Sequence, residues 1–181
     1  MIPAAAEYSL VVTLDRIGTH PTAVDLSPNA ETLAKLSTRF GLAGLSAFRG
    51  SATVVLVGSD VRVTGDLQAM PTYVCRVSGQ SFEQALRTGF DVLFRADAVS
   101  TQPEEIELVA GDLDIDVLDS HGVDVGELAA QSMGLALDPW PRAPDADESM
   151  NQLGVLSETD ATQRRSPFAK LLEMKDGSKK A

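Results

Sequence analysis

The side chains in this chain that could do chemistry are few: one cysteine, two histidines, a run of alternating aspartates, and a Trp–Arg pair set between prolines. Cys75 lies in Tyr73-Val-Cys-Arg-Val77, a stretch that reads as strand. A nucleophilic cysteine needs a base beside it and an electropositive setting. Arg76 is adjacent in sequence, but on a strand it would point to the opposite face. No spacing brings His20 or His121 to the thiol. The pattern favours a small buried side chain, and a Cys75-dependent hydrolase or redox enzyme is the alternative. His20 precedes Pro21 in a turn and His121 precedes Gly122 in a loop, neither with metal-ligand spacing. One cysteine and two histidines fall short of a four-ligand Cys/His zinc set. We therefore expect no catalytic residue, no metal and no cofactor.

Gly111-Asp-Leu-Asp-Ile-Asp116 begins like a calcium loop. That loop needs Gly at its sixth position and Glu at its twelfth. Counted from Asp112, those places hold Val117 and Val123, so the match fails. Leu113, Ile115 and Val117 alternate with the aspartates, which predicts a half-buried strand with a solvated acidic face. No glycine set opens a helix after a strand in the phosphate-binding manner. Trp140 and Arg142 could stack on a base or engage a protein partner, or Trp140 could pack over the end of its own core. No aromatic-rich basic strand of the RNA-recognition type is present.

The elements that must position these residues are legible from pattern. Glu7–Leu14 alternates and reads as strand, followed by a turn at Gly18–Pro21 and a short strand at Thr22–Leu26. Ser27 as N-cap and Pro28 at the first helical position predict a helix over Pro28–Phe40, stopped by Gly41. Ser46–Val57 and Asp60–Ala69 flank Gly58-Ser59, a hairpin signal. The second run can continue past Pro71 into Thr72–Val77, with Pro71 marking an edge or a bulge. Ala85–Phe94, Glu105–Val109 and Leu113–Val117 read as further strands.

Asp124 as N-cap with Glu127 three residues on forms a capping-box pattern and opens a helix running to Leu137. At helical spacing Val125, Leu128, Ala129, Met133, Leu135 and Ala136 share one broad apolar face. Pro139 ends the helix before Asp138, and Asp138-Pro-Trp-Pro-Arg142 makes a stiff elbow. The expected architecture is α+β: a mainly antiparallel β-sheet or partial barrel with two packed helices and a C-terminal extension. Residues 1–144 form the globular domain and 145–165 a polar linker. A short amphipathic helix follows over 166–176, capped by Ser166-Pro167, with a basic tail to residue 181.

The chain has 181 residues, enough to bury a real core, and 44% of them are hydrophobic. No apolar run approaches the roughly 20 residues of a membrane span, and the first residues lack the charge and apolar stretch of a signal peptide. A single cysteine excludes an internal disulfide, and a cytoplasmic location is expected. Net charge is −11, yet residues 163–181 carry a net of +4. The acidic body disfavours sequence-independent binding to a phosphate backbone. It suits basic protein partners such as ribosomal proteins, or it serves solubility. The segment at 166–176 is about three turns long, too short to hold as an isolated helix. Its Phe168, Leu171 and Leu172 face must dock, on its own domain or in a partner's groove. Arg164, Arg165 and Lys170 are the candidate nucleic-acid contacts beside it.

Three pieces in order resemble one family. Ser9–Leu14 followed by Asp15-Arg-Ile-Gly18 and His20-Pro21 looks like the start of alphaproteobacterial members of the YceD family, the large ribosomal RNA subunit accumulation proteins. Asp124-Val-Gly-Glu-Leu128 with Leu135-Ala-Leu-Asp-Pro-Trp-Pro-Arg142 is similar to that family's most distinctive motif. Ser166-Pro-Phe-Ala-Lys-Leu171 resembles its short C-terminal motif. Many members carry paired Cys-x-x-Cys motifs suggestive of metal; here Ser78 stands at the second position after Cys75, so a metal role is not carried over. The resemblance implies a non-enzymatic role in accumulation or processing of large-subunit (23S) ribosomal RNA. The implied partners are ribosomal proteins or large-subunit assembly intermediates, with direct RNA contact through the basic tail. No membrane and no small-molecule substrate enter this expectation. A general adaptor working through 166–176 is the other non-enzymatic alternative.

Overall fold

A computed structural model describes residues 6–96, 114–152 and 154. Its strands are β1 (Val11–Val12), β2 (Thr22–Leu26), β3 (Gly44–Val57), β4 (Asp60–Val74), β5 (Ser81–Glu83), β6 (Leu86–Arg95), β7 (Asp114–Val117) and β8 (Val123–Asp124). Its helices are α1 (Ala30–Arg39), α2 (Val125–Ala136) and α3 (Ala146–Gln152). The fold is α+β and the sheets are mostly antiparallel, as the alternating runs predict. The described residues divide into two compact units, one holding residues 6–74, 81–96 and 114–139, the other Cys75–Gln80 with residues 140–152 and 154.

The larger unit is organised by one long hairpin. Gly58 has a φ of +66°, Ser59 has none of the left-handed character, and Val57 pairs with Asp60. Glycine at the first of two loop positions matches the twist of the strands that a two-residue turn must join. The hairpin strands β3 and β4 then pair over almost their whole length. Pro71 lies inside β4 beside a register shift between Leu45 and Ala47 of β3, the bulge that a residue without an N–H demands. Strand order is β2-β3-β4-β6-β7, with β5 paired to the end of β4. Every pair in this sheet is antiparallel except β6 with β7.

Alternation puts Phe48, Ala52 and Val54 of β3 on one face with Val61, Val63 and Leu67 of β4 and Val92 of β6, all buried. Leu36 of α1 and Val125, Ala129 and Met133 of α2 complete the core, each fully buried. Gly65 belongs to this face because Phe90 lies across it, where a Cβ would collide with the ring. Gly126 lets the first turn of α2 approach the N-terminal segment: a Cβ there would sit 2.8 Å from the Leu10 amide nitrogen.

Four local expectations need correction. The run Glu7–Leu14 is strand only at Val11–Val12, and a single 3₁₀ turn follows at Leu14–Arg16. The Leu10 N–H donates to the Asp124 carboxylate at 2.8 Å rather than to a neighbouring strand. Helix α1 is capped by Asn29, whose side chain accepts from the Thr32 N–H at 2.9 Å, not by Ser27. Ser27 uses its own N–H on the Tyr8 hydroxyl. The apolar face of α2 divides: Gly126 and Ala130 are buried, whereas Leu135 is 90% exposed. The polar stretch read as linker holds α3 at Ala146–Gln152. The strand expected at Glu105–Val109 and the helix at 166–176 lie outside the described residues. Among those residues no helix is long and apolar enough to cross a membrane.

Candidate partner-binding elbow and the Cys75 turn

Helix α2 begins as its sequence dictates. Asp124 Oδ1 accepts from the Glu127 N–H at 3.1 Å, the N-cap half of the expected box. The reciprocal half is absent because the Glu127 carboxylate is taken by Arg39, at 2.6 and 2.8 Å in a two-pronged pair. Arg39 also reaches Glu7 at 2.8 Å. One guanidinium at the end of α1 thus ties down the start of α2 and the N-terminal segment. Glu127 is held below the ordinary carboxylate range, chiefly by that hydrogen bond, against the opposing effect of burial.

Past α2 the Leu137 N–H closes on the Gly134 carbonyl at 3.4 Å, and the chain turns into the Pro-clamped elbow. Trp140 is 73% exposed. The Arg76 guanidinium lies 5.9 Å from its ring centroid, a cation–π contact within the smaller unit. The Arg76 N–H donates to the Pro141 carbonyl at 3.0 Å, so the Cys75–Gln80 turn and the elbow brace one another. Arg142 is exposed, with one weak contact to Met150 Sδ at 3.9 Å. The Trp140 ring is thus largely exposed, set between prolines and stacked against a cation. Sequence reasoning missed Arg76 as part of this surface, because it placed Arg76 within a strand. Strand β4 ends at Val74, and Cys75 opens a turn.

That turn wraps the thiol. Cys75 is buried, and its Sγ accepts from the N–H groups of Ala143 at 3.3 Å and of Val77 and Ser78 at 3.4 Å. Gly79, with a φ of +71°, closes the turn through its N–H on the Cys75 carbonyl. The Ala143 N–H, then the Ser78 hydroxyl and amide, lower the thiol to about 6. The sulfur is thus a structural acceptor that anchors the elbow. Among the described residues these donors to the sulfur are backbone N–H groups, and His121 pairs with Asp119 at 3.0 Å. Among the described residues no three Cys, His, Asp or Glu side chains gather to hold a metal ion.

Of the residues singled out from sequence, the structure brings Trp140 and Arg142 onto one elbow and adds Arg76. Phe168, Leu171, Leu172, Arg164, Arg165 and Lys170 lie outside the described residues. No family model, curated protein or solved structure matches this chain.

Proposed function

We infer that the chain is a non-enzymatic, cytoplasmic factor for the accumulation or processing of 23S ribosomal RNA. It would work by binding ribosomal proteins or large-subunit assembly intermediates, with RNA contact through its basic tail. The observation that carries this reading is the division of the segment from Asp124 to Arg142, whose motif resembles the YceD family. Its helix is occupied with the core through Val125, Ala129 and Met133, while Trp140 stands 73% exposed on a braced turn. An exposed, rigid tryptophan beside arginines has the composition of a binding hot spot. The acidic body, net −11 for the chain, suits basic partners.

Cells lacking the gene should show fewer large subunits than small ones on sucrose gradients, with reduced mature 23S RNA. Trp140→Ala with Arg142→Ala should reproduce most of that defect at unchanged protein level. Cys75→Ser should complement, because the thiol acts as an acceptor; failure of a folded Cys75→Ser protein would favour the Cys75-dependent enzyme. Normal ribosomal RNA and subunit ratios in the deletion would remove the ribosomal reading altogether.

A further inference from the structure

The strand β7 is turned the opposite way from what its alternation suggests. Asp114 pairs with Val92 and Asp116 with Phe94 in parallel register. Paired residues on parallel strands share a face, so both aspartates stand on the face of the sheet that carries the core. Ile115 and Val117 point to the other face and are 51% and 46% exposed. The carboxylates therefore border the space between β7 and α2. Two adjoining cavities of about 460 and 320 Å³ open there, both bordered by Asp116, Leu128 and Gln131. Phe90 and Val92 of β6 line the larger one. Leu128 and Leu135, two turns apart on α2, form its other wall, and Leu135 is 90% exposed.

Charge and shape together select an occupant. No Lys or Arg lines either cavity among the described residues. Glu7, Glu127, Asp60 and Asp91 each pair with an arginine, and Glu31 with a lysine, whereas Asp114 and Asp116 form no ion pair among the described residues. Among the described residues, helix α2 contacts the sheet chiefly at β6 and β4 rather than at β7. We propose that this groove docks a basic amphipathic helix of a partner protein. The partner helix lies beside α2, its apolar stripe on Leu128, Leu135 and Phe90 and its lysines or arginines against Asp114 and Asp116. Alpha-helices pack about 8–10 Å apart, and a helix parallel to the 12 residues of α2 spans about 18 Å. The inference rests on the reading of the chain as a factor that acts by binding basic partners, and it assigns that binding a second surface, on the larger unit.

The test uses the full chain and a fluorescein-labelled 14-residue Leu/Lys peptide designed as an amphipathic helix, followed by fluorescence anisotropy. Binding should fall at least about tenfold for Leu135→Glu, and likewise for Asp114→Asn with Asp116→Asn. Val57→Glu, a change at another exposed apolar site, should leave it unaltered. A peptide of the same charge with every Leu replaced by Gly should not bind. Circular dichroism melts check that each variant is folded, and the Asn pair preserves shape if Leu135→Glu perturbs α2. Unchanged affinity in the groove variants, or equal binding of the Gly peptide, overturns the proposal. A tenfold gain on deleting residues 160–181 overturns it in favour of the chain's own tail as occupant. Self-association lost in Leu135→Glu overturns it in favour of a second copy. Normal ribosomes in the gene deletion together with intact groove binding would sink the ribosomal reading and leave the groove standing.

Discussion

Met133→Ala should destabilise the protein by about 2–5 kcal/mol, while Leu135→Ala, two residues on in the same helix, should change stability by no more than about 0.5 kcal/mol. Met133 is fully buried among Val125, Ala129 and the sheet, and its truncation leaves a cavity that the flanking strands cannot close. Leu135 is 90% exposed, so its methyls lose little when removed. Urea unfolding decides the matter. The Met133→Ala midpoint should drop with an unchanged slope, and that of Leu135→Ala should stay near the parent's. Equal losses would mean that Leu135 is part of the core and that the groove beside it does not exist in solution.

Arg39→Met should cost about 1–3 kcal/mol at neutral pH, with most of that cost lost in acid. The guanidinium makes charge-assisted bonds to Glu127 and Glu7 while only 28% exposed, and methionine keeps the apolar part of the stem. Removing it leaves Glu127, itself 21% exposed, without its cation. The sign of the pH dependence follows from the lowered pKa of Glu127. A carboxylate that is more acidic folded than unfolded contributes its stability above its unfolded value, about 4.3 for glutamate. That contribution is lost as pH falls through the folded value. The difference between parent and Arg39→Met should therefore be full at pH 7, begin to shrink below about pH 5, and be small once Glu127 is protonated in both states. A difference that is constant from pH 7 to pH 3 would show that Arg39 acts through packing over Phe40, whose ring centroid lies 5.3 Å away, and not through the ion pairs.

Local chemistry made much of this architecture legible. The Gly58-Ser59 turn, the long alternating runs on either side of it, and the Asp124 cap are decided by residues close in sequence, and each forms where expected. What could not be read depends on distant partners. The facing of β7 follows from its parallel register on β6, and a shift of one residue would have turned the aspartates to the other face. The apolar positions of α2 cover more than one stripe. Only contact with the sheet and the N-terminal segment decides that Gly126 and Ala130 go inside while Leu135 stays out. Arg76 joins the elbow because β4 ends one residue before Cys75 and the chain turns there. The sulfur's role as an acceptor for the Ala143 N–H, 68 positions away, has no local signal at all. The candidate elbow was legible in its prolines and its tryptophan, but its bracing was not.

The central claim is that the Trp140 elbow engages large-subunit assembly partners, and a photo-crosslinking amino acid placed at Trp140 tests it most directly. Irradiated in growing cells and analysed for both RNA and protein adducts, it should join the chain to large-subunit ribosomal proteins or to precursor 23S RNA. Adducts confined to proteins unrelated to the ribosome, with large-subunit components missing from every sample, would contradict the account and identify the chain as an adaptor of another kind.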